Sequence, residues 1–163
     1  MNKQYYISEA KRAASIQINE LKKIKKIFNK SFIKAVDLIL NCKGKIIFAG
    51  IGKSGLIARK ISATFSSVGI PSFFCDPAQA LHGDMGQIEK KDILIIFSYS
   101  GNTSELTNMI KYANRYNIKI IGIASKPDSI LLKASDIKLI LPKVKESDVT
   151  GMVPTSSTSI TVS

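Results

Sequence analysis

This chain is poor in the side chains that carry redox, metal and base-stacking chemistry: 163 residues hold no tryptophan, one histidine and two cysteines. Cys42 and Cys75 form no C-x-x-C motif and are too few for a disulfide framework. A lone His82 makes no zinc site, because zinc takes three or four ligands. No apolar run approaches the ~20 residues of a membrane span, so no transmembrane helix is expected. The opening MNKQYYISEAKRAAS lacks the apolar core of a secretion signal, which makes the cytoplasm the expected compartment. Acidic residues are scarce as well, 12 against 24 Lys and Arg, for a net charge of +12. Only three of those 24 are Arg. Base readout favours Arg forks, and single-strand binding favours aromatics interleaved with charge. Neither pattern is present, so neither a nucleic-acid nor a membrane partner is expected.

What remains is an ordinary globular composition, 45% hydrophobic and 22% charged, in a chain long enough for one domain with a substantial core. Residues 1–42 read as N-terminal helices. Ile16, Leu21, Ile24 and Phe28, then Phe32, Val36, Ile39 and Leu40, recur at helical spacing, with a break near Asn29 and Ser31 placed to cap the second helix. The run Lys22-Lys23-Ile24-Lys25-Lys26 reads as a solvated face, with a membrane-surface or partner-helix role as the alternative. From residue 43 the pattern changes to short apolar strands alternating with amphipathic helices. Strands are expected at 45–50, 71–74, 93–98, 119–125 and 136–141, and helices at about 53–68, 103–116 and 129–134. Continuous apolar strands joined by helices give a five-stranded parallel sheet covered on both faces, a three-layer α/β/α sandwich. Ligands bind such sheets at the C-terminal strand ends, near the switch in strand order.

Three loops lie on that rim. FAGIGKSG (48–55) fits the G-x-G-x-x-G spacing through Gly50, Gly52 and Gly55, with Asp76 placed for a ribose. It fails the ATP-binding P-loop pattern, which requires glycine where Ile47 stands. SYSGNTSE (98–105) offers hydroxyls and free amides at a helix start, where a phosphate dianion is favoured; the plain alternative is a helix cap from Thr103 or Ser104. PTSST (154–158) is a third such segment, readable alone as a cap or a tail. A dinucleotide has little use for the second and third loops. A sugar phosphate does, one loop holding the phosphate and the others the hydroxyls and reacting carbons.

GIGKSGLIARKISATFSSVGIPSFF, HGDMGQI, SYSGNTSEL and PTSSTS together resemble the sugar isomerase (SIS) domain, and more narrowly the arabinose-5-phosphate isomerase family. The resemblance runs from about residue 43 to 159, within a single SIS domain spanning 1–163. It implies the flavodoxin-like sandwich and interconversion of ribulose 5-phosphate and arabinose 5-phosphate for Kdo and lipopolysaccharide synthesis. It also implies a homo-oligomer, dimer or tetramer, with active sites at subunit contacts. Lys53, Glu105 and Glu146 fall on the family's functional positions, Lys53 balancing oxyanion or phosphate charge and the carboxylates acting as acid or base. His82 falls at the active-site rim, where it can bind an inhibitory metal, although neither a metal nor a cofactor is required. Gly52, Ser54, Asp84, Ser98, Ser100, Thr103, Thr155, Ser156, Ser157 and Thr158 are the expected substrate and phosphate contacts. Asn102 departs from the glutamate common among close relatives, which bears on sugar preference. The family's last helix, a further histidine and a CBS pair lie past the point reached at Ser163. The resemblance therefore implies a chain truncated before them, with apolar sheet surface exposed unless another chain covers it. A non-catalytic sugar-phosphate-binding module or inactive remnant is the alternative reading.

Overall fold

The computed structural model describes residues 3–150 and 153–163; Met1, Asn2, Gly151 and Met152 lie outside the described residues. Five strands form one sheet: β1 (Ile46–Gly50), β2 (Ser72–Cys75), β3 (Ile93–Phe97), β4 (Lys119–Ala124) and β5 (Ile137–Ile140). Their order is β2-β1-β3-β4-β5 and every pairing is parallel. The helices are α1 (Lys3–Leu21), α2 (Lys30–Leu40), α3 (Gly52–Ser67), α4 (Leu106–Arg115), α5 (Ile130–Ala134) and α6 (Ser156–Val162).

The central strands β1 and β3 are apolar throughout because both faces are covered. In β1, Ile47 and Ala49 pack beneath α4 and α5 with Leu106, Met109 and Leu131. Ile46 and Phe48 point the other way, into a cluster with Ala35 of α2 and Ile57 and Ala58 of α3. Each fully buried large side chain of this kind stabilises the fold by roughly 1.5–3 kcal/mol. Phe48 also meets Phe65 of α3 edge to face, with ring centroids 5.1 Å apart. Two carboxylates, Asp92 buried and Asp136 exposed, fix the opposite rim. Asp92 accepts the backbone N–H groups of Lys45 and Glu89, and Asp136 accepts that of Ile120.

The parallel sheet expected from the apolar runs is the sheet observed, and three local details differ. Asn29, not Ser31, caps α2, and its side chain accepts the Ser31 N–H. The lysine-rich run continues α1 as a 3-10 helix, Lys22–Ile27, because a cluster of charge offers few apolar contacts to hold a regular α-turn. Helix α4 begins at Leu106 rather than near Thr103, and no hydroxyl caps it. On the α2 side of the sheet an apolar groove of about 290 Å³ remains open, lined by Ile24, Phe32, Ile39, Phe65 and Ile160 among others. Among the described residues no helix is long and apolar enough to cross a membrane.

Candidate active site

With strand order 2-1-3-4-5 the chain leaves β1 toward one sheet edge and returns past it to β3, so the loops after β1 and β3 diverge. A cleft of about 400 Å³ opens between them. Its walls are Lys53 and Ser54 of the first turn of α3, Tyr99 and Ser100 after β3, Glu146, and Ser157 and Thr158 of α6. The β1–α3 turn is tight for a local reason. Gly52 adopts φ +58°, and a Cβ on Gly55 would stand 2.7 Å from the Gly50 carbonyl oxygen. Glycines there let α3 start hard against the end of β1. Ile51 offers α3 no side-chain cap, so the positive end of a 16-residue helix faces the cleft uncompensated.

The second loop is held from within. The hydroxyls of Ser98 and Thr103 share a 2.9 Å hydrogen bond, and Ser98 Oγ accepts the Gly101 N–H. Ser98 is buried, which leaves Ser100 as the hydroxyl of this loop that reaches the cleft. Tyr99 ties the loop to the segment after β5: its hydroxyl donates to the Pro142 carbonyl and accepts the Val144 N–H.

Glu146 shapes the third wall. Its Oε2 accepts the Thr155 N–H at 2.7 Å, the Thr155 hydroxyl at 2.9 Å and the Ser157 N–H at 3.2 Å. The carboxylate thus caps α6 from a distant segment in place of the side chain of Thr155, which makes no cap bond to its own helix. Burial pushes the carboxyl upward, but hydrogen bonds from Ser157 and Thr155 outweigh it and hold Glu146 below the usual glutamate range. Ser156 is buried beside it, and its Oγ has no hydrogen-bond partner.

The fold therefore gathers Lys53, Ser54, Ser100, Glu146, Ser157 and Thr158, with Gly52, Ser98, Thr103, Thr155 and Ser156 supporting them. It does not bring Glu105, His82 or Asp84 into this cleft. Glu105 is exposed, and the Ser104 hydroxyl and its own backbone N–H hold its carboxyl low. His82 is exposed at the end of a short 3-10 turn, Ala80–His82. Asp84 lines a separate recess of about 190 Å³ with Arg59, Phe74 and Asp76. There Asp76 accepts the Ala78 N–H and lies 3.7 Å from Arg59, occupied in its own turn. Burial, with Asp84 and Asp76 nearby, pushes the Cys75 thiol up to about 11, so it stays protonated. Tyr99 and Thr161 line the cleft without having been read from the sequence. Tyr99 had a signal, its place between two loop serines; Thr161 had none. Among the described residues no group of three His, Cys, Asp or Glu stands ready for a metal.

The model of the SIS domain family matches residues 39–163. Across 163 residues the chain is 42% identical to the uncharacterized protein RP505 of Rickettsia prowazekii, covering all of this chain and 51% of that protein. It is 39% identical over 152 residues to arabinose 5-phosphate isomerase KdsD of Escherichia coli K12, covering 93% of this chain and 46% of KdsD. The chain spans about half the length of the curated relatives it matches. Among solved structures, an Escherichia coli CFT073 protein in complex with arabinose 5-phosphate superposes with a TM-score of 0.93 at 31% identity, covering 99% of this chain and 86% of that one. A family match over most of the chain and a fold shared nearly end to end lead to one conclusion: the chain belongs to the SIS domain family.

Proposed function

We propose that this chain is a sugar-phosphate isomerase core that interconverts ribulose 5-phosphate and arabinose 5-phosphate, supplying Kdo and lipopolysaccharide synthesis in the cytoplasm. The observation that carries the reading is the cleft at the β1/β3 switch, where a lysine and an ionised carboxylate share the walls with six hydroxyl side chains, Ser54, Tyr99, Ser100, Ser157, Thr158 and Thr161. The related structure in complex with arabinose 5-phosphate supports a pentose phosphate as the ligand.

The reaction moves a proton between neighbouring carbons through an enediol, with no net oxidation, so it calls for no redox cofactor. The phosphate sits against Ser54, Ser100 and the amino end of α3, where helix dipole and N–H groups favour a dianion. Lys53 faces the charge that develops on the substrate oxygen. Glu146, ionised by its donors, takes the carbon-bound proton and returns it to the adjacent carbon. Ser157 and Thr158 bind sugar hydroxyls. Glu105 is assigned to acid or base work from its family position alone. His82 and Asp84 act from a second copy in a homo-oligomer with sites at subunit contacts, which accounts for their place outside the single-chain cleft.

The test is incubation of the chain with arabinose 5-phosphate while ribulose 5-phosphate is measured. Turnover is expected. A folded chain that neither converts nor binds either pentose phosphate overturns the proposal. Binding measured by calorimetry without conversion identifies a sugar-phosphate-binding module instead.

A further inference from the structure

We propose that Gln17, far from the cleft in sequence, is a positioning residue for Glu146: it joins the segment that carries this carboxylate to α6, the helix that the carboxylate caps. The inference rests on the isomerase reading above and adds a role for the N-terminal helix.

Helix α1 has no fully buried residue, only half-buried ones such as Ala13 and Ile16, so apolar burial alone does not fix where it docks on α6. Its attachment is polar and falls on one short segment. Gln17 Nε2 donates to Ser147 Oγ at 3.1 Å, and the Ser159 hydroxyl, whose proton is shared between the Thr155 carbonyl at 3.1 Å and Gln17 Oε1 at 3.4 Å, makes the α6 end of the bridge. Arg12 donates to the Ser147 carbonyl, and the Lys145 N–H donates to Glu20 Oε2 at 3.1 Å. These bonds seize the residues on either side of Glu146.

The segment needs such restraint because residues 141–150 form neither helix nor strand. From the opposite side Thr155 Oγ1 accepts the Ser147 N–H while donating to Glu146 Oε2. Gln17 links the same segment to Ser159, one turn further along α6. The carboxylate is thereby held between two elements whose spacing α1 sets. A base displaced by about 1 Å can lose about a hundredfold in rate, so this spacing bears directly on turnover.

The test compares Gln17→Leu, which keeps the bulk and loses both bonds, with Gln17→Glu, whose carboxylate still accepts from both serine hydroxyls once Ser147 Oγ rotates. With arabinose 5-phosphate as substrate, Gln17→Leu should lower kcat by about tenfold or more with KM within about twofold, and Gln17→Glu should restore kcat to within about threefold. Ser159→Ala, which removes the α6 end of the bridge together with the hydroxyl's bond to the Thr155 carbonyl, should lose kcat in the same direction by less. Independently of turnover, amide exchange at Lys145 and Ser147 should quicken in Gln17→Leu while that of β1 and β3 is unchanged. Unchanged exchange at 145 and 147 overturns the proposal, as does unchanged kcat in Gln17→Leu and Ser159→Ala. An equal loss in the Leu and Glu variants with a lowered thermal midpoint also overturns it, by showing a role in stability only. If the unaltered chain does not turn over, the isomerase reading fails and the exchange result still decides the role of Gln17.

Discussion

Glu146 stands half-buried at the cleft, and its Oε2 accepts from three donors. Burial alone would favour the neutral acid, and the donors from Ser157 and Thr155 reverse that preference. A base must be charged to accept a proton. The acid limb of kcat/KM should therefore fall off only below the ordinary glutamate value of 4.5, with activity present above it. Glu146→Gln keeps a carbonyl oxygen for the Thr155 N–H but removes the base. It should lower kcat by about 10²–10⁴ while leaving the thermal midpoint nearly in place. A large loss of stability with kcat preserved would make Glu146 a cap for α6 and nothing more. Lys53 is exposed on the first turn of α3, so its removal costs the fold little. Lys53→Met should lower kcat/KM about tenfold to a hundredfold, the worth of one charged hydrogen bond, without unfolding the chain.

At the scale of elements, the contact between α3 and β1 sets the cleft floor. An added methyl at Gly55 meets backbone, the Gly50 carbonyl oxygen at 2.7 Å, and backbone cannot rotate aside. Gly55→Ala should cost about 1–3 kcal/mol and lower the thermal midpoint by several degrees in a melting experiment. The sequence made these elements readable wherever one physical cause dominated. ILIIF and IIFAG are strands because runs this short and apolar suit a sheet buried on both faces, and hydroxyl loops after them mark the rim. Legibility failed where the deciding contact is distant in sequence. KVKESD looks like charged surface loop, yet its glutamate is fixed by Thr155, and its flanking residues by Gln17 and Glu20 of α1. The apolar spacing of Ile16 and Leu21 marked a helix, but not the bonds from Arg12, Gln17 and Glu20 that tie α1 to residues 145–147. Four hydroxyls in SYSGNTSE looked equally available, but Ser98 and Thr103 satisfy each other and only Ser100 is left to the cleft.

Over the whole molecule, charge balance governs how the fold responds to pH. Glu20, Glu89, Asp136 and Glu146 all have carboxyls held below their ordinary values, Asp136 against its own burial by the Ile120 N–H and Lys119. A depressed folded value means stability fully present above the unfolded value and lost as pH falls through the folded one. With ordinary values of 3.8 for Asp136 and 4.5 for the glutamates, that loss begins below about pH 4.5 and proceeds as pH falls through the lowered folded values. Lys45 has the opposite sign. Its hydrogen bond to Glu89 raises it above 10.5 despite burial, so its contribution is present below that pH and lost above it. Acid adds a second effect, because protonating the 12 carboxylates leaves 24 Lys and Arg uncompensated. Self-repulsion then opposes the compact state. Salt separates the two effects. At neutral pH it screens both the net repulsion and favourable pairs such as Lys119–Asp136, and these changes oppose each other. At pH 4 the paired carboxylates, held low, stay largely ionised while others gain protons, so the net repulsion grows and its screening outweighs that of the pairs. Raising NaCl from about 10 mM to about 300 mM, which shortens the Debye length from ~30 Å to below ~10 Å, should raise the thermal midpoint more at pH 4 than at pH 7. An equal or smaller rise at pH 4 would mean that loss of specific carboxylate bonds, rather than net charge, drives acid unfolding.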